Sequence, residues 1–287
     1  MAGGRSPVMR RRRLAAELQR LRLASGRTLE EVAAYLECSP AKVSRIENGQ
    51  VAVRIQDARE LLELYRVDGD RREDLLQMVR QARGRGWWSD HADVLEPGAE
   101  TLLSLEDEAA GVFIYETNLV TALLQTPRYA FELFSSWTDV PLDRIRRQVE
   151  VTEERQRVLE RANAPELSVV LDESCLHRVL GGADVMREQY QRLVSVAGRP
   201  GVDLRILPFA AGPHQAMGFG FHIFQFTGDD PAIVHIERLN AADFLEGAEE
   251  VGRYQAAFHQ ARERALSPER SLVLLEGLAA GVDAEPA

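Results

Sequence analysis

Apolar side chains recur at three- and four-residue intervals through residues 10–83, and that spacing predicts five short amphipathic helices. The first, residues 10–25, sets Leu14, Leu18 and Leu21 in one stripe with Ala15 beside it, and Gly26 stops it. Thr28 followed three residues later by Glu31 is a capping box. It opens a second helix whose inner face is Val32, Ala33 and Leu36. Ser39 caps the third helix and Pro40 takes its first position, where a missing N–H costs nothing; Val43 and Ile46 point inward and Gly49 ends it. Residues 55–65 and 70–83 supply two more, carried by Ala58, Leu61, Leu62 and Tyr65 and then by Leu75, Leu76 and Val79. Only a three-residue turn joins the second and third helices, so the segment reads as a compact helix-turn-helix bundle.

Past the flexible joint Gly84-Arg85-Gly86 the pattern mixes two periods. Val112–Tyr115, Leu167–Leu171 and Asp203–Leu207 predict strands, and residues 219–226 and 232–237, either side of Gly228-Asp229-Asp230-Pro231, predict an antiparallel pair. Pro127 opens a helix through Phe134, and Pro141 opens one to about Ala162. The narrow apolar stripe of the latter, Leu142, Ile145, Val149 and Leu159, packs onto its own domain or forms a dimer seam. Further helices are expected over 173–180, 183–197, 248–265 and 268–277. The fold class that follows is multi-domain: an all-α helix-turn-helix bundle over 1–83, a linker over 84–104, an α+β domain with a small sheet over 105–278, and a loose tail over 279–287. Trp87 and Trp88 follow the joint, and adjacent side chains do not share one helix face. At least one ring is therefore expected to pack into the next domain, with a base-stacking platform as the alternative.

Charge sharpens this division. The net charge of −10 is split between 18 basic and 13 acidic residues over 1–90 (+5) and 17 basic and 32 acidic residues over 91–287 (−15). A basic head holds nucleic acid at one end, and an acidic body repels it from the other. With 45% hydrophobic and 28% charged residues, and no apolar run of bilayer-spanning length, the chain reads as a soluble cytoplasmic protein with no membrane partner. The basic start lacks the apolar stretch of a secretory signal. Cys38 and Cys175 are too far apart in the chain to suggest a disulfide framework. One lysine accompanies 34 arginines, the usage of a GC-rich genome such as an actinobacterial one.

Ser44-Arg45-Ile46-Glu47-Asn48-Gly49 resembles the Cro/C1-type (XRE family) helix-turn-helix regulators, and the resemblance extends over roughly 10–82. It implies a lambda-repressor-like bundle whose third helix enters the major groove. By position it implies DNA contact by Thr28, Ser39, Pro40, Ala41, Lys42, Ser44, Arg45, Asn48 and Gln50. Arg45 is the residue for a bidentate guanine contact; Lys42 and Ser44 read bases or hold phosphate. Thr28 sits where helix N–H groups can bind phosphate, and Asn48 and Gln50 line the backbone. The same resemblance pairs Glu47 with Arg22, and the Arg10–Arg13 run is expected either to reach DNA or to be a solvated arm. Glu37 departs from the family's usual turn glycine, implying either about 1 kcal/mol of strain or a different turn. Cys38 reads as a small buried core residue, with redox sensing as the alternative.

Leu123-Leu124-Gln125-Thr126-Pro127-Arg128-Tyr129-Ala130, Val170-Leu171-Asp172-Glu173 and Leu207-Pro208-Phe209-Ala210-Ala211-Gly212-Pro213-His214 resemble an uncharacterised domain found after such modules in actinobacterial regulators. This likeness, over roughly 95–277, brings no catalytic chemistry. Members are described as antitoxin-like, with a small partner protein often encoded nearby.

The expected function is therefore a sequence-specific DNA-binding transcriptional regulator, a homodimeric repressor on a roughly palindromic double-stranded operator. Its C-terminal domain would receive a small partner protein or an unknown small ligand. The alternative is an antitoxin-like protein that mainly neutralises its partner and binds DNA for autoregulation. No enzyme is expected and no cofactor is called for. Glu173 and His177, one helical turn apart, read as a surface pair. His222 and His235 in facing strands with Glu237 form the sharpest metal constellation, yet they lack the spacings that make such signals strong. The loop from Gly212 to Gly220 lacks the lysine and hydroxyl of a phosphate loop; it reads as a strand connection or the wall of a small-molecule pocket.

Overall fold

The computed structural model describes residues 7–49, 51–82, 86–137, 140–228, 230–239 and 241–281. The chain divides after Asp90 into two compact units.

The first unit consists of α1 (Pro7–Ala24), α2 (Leu29–Tyr35), α3 (Pro40–Glu47), α4 (Ile55–Leu64) and α5 (Gly69–Gln81). Leu14, Leu18, Val32, Val43, Ile46, Leu61 and Leu62 form its core. The half-buried Cys38 packs against that core as a free thiol. Three helices end in the same hydrogen-bonded motif, in which two successive N–H groups reach back to carbonyls of the last turn. For α1 these are Gly26 N to Leu23 O (3.0 Å) and Arg27 N to Arg22 O (3.3 Å). For α2 they are Glu37 N to Ala34 O (3.3 Å) and Cys38 N to Ala33 O (2.9 Å), and for α4 Arg66 N to Glu63 O (3.0 Å) and Val67 N to Leu62 O (2.8 Å). The motif needs a left-handed residue, supplied by Gly26 (φ +70°), Glu37 (φ +49°) and Arg66 (φ +56°). The turn after α2 thus keeps the geometry that favours glycine, and Glu37 bears the strain. Arg10–Arg13 are half-buried residues in α1, so they do not form a free arm.

The second unit contains α6 (Ala99–Glu108), β1 (Gly111–Glu116), α7 (Pro127–Ser135), α8 (Leu142–Gln156), β2 (Glu166–Asp172), α9 (Ser174–His177) and α10 (Ala183–Ala197). β3 (Val202–Leu207), β4 (Phe221–Gln225), β5 (Ile233–Glu237), β6 (Ala242–Leu245), α11 (Ala248–Arg264) and α12 (Pro268–Ala279) complete it. Its strands form one six-stranded sheet in the order β3-β2-β1-β4-β5-β6. β1, β2 and β3 run parallel, while β4, β5 and β6 are antiparallel to their neighbours. One sheet face carries Tyr115, Val170, Phe221, Ile223 and Val234 and is covered by Val251, Ala257, Phe258 and Ala261 of α11. Strand alternation puts His222, His235 and Phe244, which lie in one row across β4, β5 and β6, on the other face.

The sheet has six strands where the sequence pattern predicts five, β6 being the addition, and α6 is a helix that the pattern does not predict. α6 occupies the end of the expected linker: Leu102, Leu103 and Leu105 are nearly contiguous and show little helical period, and the packing that buries them makes the helix. β6 has only four half-buried residues and no alternation, so its pairing with β5 defines it. The expected helix to Ala162 stops at Gln156 and tightens into a 3₁₀ turn over Arg157–Glu160, and the one over 173–180 shortens to Ser174–His177. Gly84 and Arg85 of the joint and the end of the tail lie outside the described residues. Among the described residues no helix is long and apolar enough to cross a membrane.

Candidate nucleic-acid interface

The outer surface of α2 and α3 is set by their caps and buried faces. Val43 and Ile46 anchor α3 in the core, which turns Pro40, Ala41, Arg45 and Asn48 to solvent and leaves Lys42 and Ser44 half-buried. Ser39 Oγ accepts the Lys42 N–H at 3.3 Å, fixing where the helix starts. The Arg45 guanidinium stays on the exposed face, its Nε 3.4 Å from Ala41 O. Asn48 Nδ2 donates to Ser44 Oγ at 3.3 Å. Lys42 Nζ reaches Asp57 Oδ2 of α4 at 2.7 Å, so its charge is already partnered within the protein.

One buried ion pair holds α3 against α1. Arg22 Nε donates to Glu47 Oε1 (2.8 Å) and Oε2 (3.0 Å), and Arg22 Nη1 donates to Arg27 O (2.9 Å). Both partners are buried, at 8% and 6% exposure. Burial works against the charged form of Arg22, but the Glu47 hydrogen bond is the larger influence and raises its pKa.

At the start of α2, Thr28 is exposed and its capping box is complete. Glu31 N donates to Thr28 Oγ1 at 3.2 Å, and Thr28 N donates to Glu31 Oε2 at 2.9 Å. The cap therefore occupies the Thr28 and Glu31 N–H groups, and a phosphate here would be left with those of Leu29 and Glu30. Gln50, the remaining expected contact, lies outside the described residues. Trp88 is buried and meets Trp87 edge to face at 5.8 Å, so the tryptophans do not form a paired open platform.

In the second unit, the three motifs singled out in the sequence mostly serve the fold. Gln125 Nε2 donates to Val120 O, Thr126 Oγ1 caps α7 by accepting from Tyr129 N, and Gln189 Oε1 accepts from Thr126 N. Asp172 Oδ1 accepts from Ser174 N, Glu173 Oε2 accepts from Phe209 N, and His214 Nε2 lies 3.3 Å from the Tyr115 hydroxyl. These contacts tie loops to the ends of the parallel strands. Glu173 also lies 3.3 Å from His177, an exposed pair one turn apart. His222 faces His235 across the β4–β5 ladder, but its Nε2 is 3.1 Å from Glu116, a residue the sequence reading had not linked to it. Among the described residues no group of three or more His, Cys, Asp or Glu is arranged to hold a metal ion. The buried Cys175 thiol has its pKa raised by desolvation and by Glu116.

Comparison with known families agrees with this division. Residues 13–75 match a helix-turn-helix domain, which makes the first unit a DNA-binding module of the kind used in transcription regulation. Residues 99–277 match a domain of unknown function, DUF5753, and the chain belongs to that family. No curated protein and no solved structure matches the chain.

Proposed function

We propose that the protein is a homodimeric, sequence-specific transcriptional repressor of the Cro/C1 type. In this reading α3 enters the major groove, Arg45 makes a bidentate contact with a guanine, and Ala41 and Ser44 lie against neighbouring base edges. The carrying observation is the exposed face of α3, with the exposed Arg45 guanidinium on it, held in place by the buried Arg22–Glu47 pair behind. One such helix contacts too few base pairs for strong discrimination, which argues for a two-fold dimer on a roughly palindromic operator. The second unit then supplies dimerisation and receives a signal, with no catalytic step of its own.

Selection of bound fragments from random or genomic DNA tests the reading. The expected result is a symmetric motif, with preference at one position per half-site lost in Arg45→Ala, at a cost of about 1–3 kcal/mol on the cognate base. Full specificity retained in that variant would show that α3 is not the reading helix.

A further inference from the structure

The second unit has a partly open cavity of about 590 Å³ on the sheet face opposite α11. Its walls come from the first turn of α6, the end of α7, the middle of α8, and β5–β6. Nothing in the DNA-binding reading uses it, and its size falls within the roughly 300–1,000 Å³ of small-molecule sites. The walls are largely apolar, with Val94, Leu102, Leu103, Phe134 and Val151 among them. At one end α6 is seated so closely on β6 that a Cβ on Gly98 would lie 2.9 Å from Ala242 Cβ.

The polar groups in the wall define what fits. Arg155 donates to Glu106 through Nε (3.0 Å) and Nη2 (2.7 Å), so its charge is neutralised inside the protein. His235 is buried, and desolvation, with smaller effects from His222 and Arg155, pushes its pKa down to about 3; it is a neutral ring at physiological pH. The Thr152 hydroxyl donates to the Gln148 carbonyl at 3.0 Å. Gln148 is different: its residue is 7% exposed and Oε1 is buried with no hydrogen-bond partner. A buried acceptor without a partner is costly, and because Gln148 lines the cavity a turn of its amide would bring Oε1 to a ligand's donor.

We propose that this cavity binds a neutral, predominantly apolar small molecule that donates a hydroxyl or amide N–H to Gln148 Oε1. A charged ligand is disfavoured because the half-buried Arg155 is already paired with Glu106, the imidazole carries no charge, and the other charged groups of the wall, Glu96, Glu237 and Arg238, are exposed to solvent. As the signal input of the regulator the site rests on the reading above. Occupancy itself does not, and it is measured without DNA.

N-phenyl-1-naphthylamine, neutral and apolar with one N–H, is a suitable probe for the full-length protein. The expected result is saturable fluorescence enhancement at one site per chain, with weaker binding of the anionic 1-anilinonaphthalene-8-sulfonate. The N-methylated probe, which has no donor, should bind roughly tenfold more weakly. Gln148→Leu should abolish that preference while leaving the fold at least as stable, as removal of an unpaired acceptor predicts. Val151→Trp should fill the cavity and abolish binding; if it fails to fold, Ala242→Trp blocks the cavity from its half-buried edge. The proposal is overturned if the probe does not saturate, if both blocked variants still bind it, or if N–H preference survives in Gln148→Leu. Probe binding by a protein that shows no operator preference would keep the site and remove the regulator; the opposite pair of results would do the reverse.

Discussion

Glu37 and His235 show how single residues here hold conformations or charge states that their surroundings impose. Glu37 adopts φ +49° because the motif ending α2 needs a left-handed residue. A Cβ is disfavoured in that region, so Glu37→Gly should stabilise the first unit by about 1 kcal/mol, seen as a higher midpoint in urea unfolding. An unchanged midpoint would mean that the turn carries no strain. His235 is neutral in the folded protein because burial lowers its pKa from 6.5 to about 3. Once the pH falls below 6.5 the unfolded chain takes up a proton that the folded chain does not. Stability of the second unit should then fall with acidification from pH 6.5 toward 3, by up to about 1.4 kcal/mol per pH unit from this group. His235→Phe should flatten the slope between pH 6 and 4.5 in urea titrations, whereas an identical slope would assign the acid sensitivity to other groups. The turn strain could be anticipated from sequence because it depends on adjacent residues. The charge state of His235 could not, because strands and helices distant in the chain bury it.

At the scale of elements, the orientation of α3 depends on ion pairs that act in opposite ways. Arg22–Glu47 fixes the helix from behind, and removing one partner leaves a buried charge. Arg22→Ala is therefore expected to cost the first unit about 3–5 kcal/mol, while the combined Arg22→Met/Glu47→Leu change should restore much of that. Comparing the thermal midpoints of the two proteins tests this; equal losses would show that the pair's specific geometry, and not the orphaned charge, dominates. Lys42–Asp57 is half-exposed and contributes little to stability, but it engages the charge of the only lysine in the sequence. Asp57→Asn should tighten DNA binding and steepen its salt dependence by about one unit of slope if Lys42 then meets phosphate. A slope unchanged from wild type would place Lys42 away from the backbone. The helices, caps and turn that present Arg45 were legible in the sequence. The partner of Lys42 was not, because α4 meets it only once the bundle is folded.

For the whole molecule, the family matches cover the two units separately and leave the dimer as the main architectural claim. If the second unit dimerises the protein, a chain limited to residues 1–90 should sediment as a monomer and bind one half-site with reduced affinity and no cooperativity. Sedimentation and gel-shift titration of both chains test this, and cooperative binding by the short chain would move dimerisation into the first unit. The sequence alone determined most of the first unit: its apolar period, its capping residues and its turn all act over three or four positions, so neighbours in the chain carry the information. It also located several strands of the second unit through their β-branched runs. Only tertiary structure decided that those strands form one six-stranded mixed sheet, that α6 and β6 exist, and that Gln148, Arg155 and His235 line one cavity. Those outcomes depend on pairing and burial between residues far apart in the chain, where no local pattern records the partner.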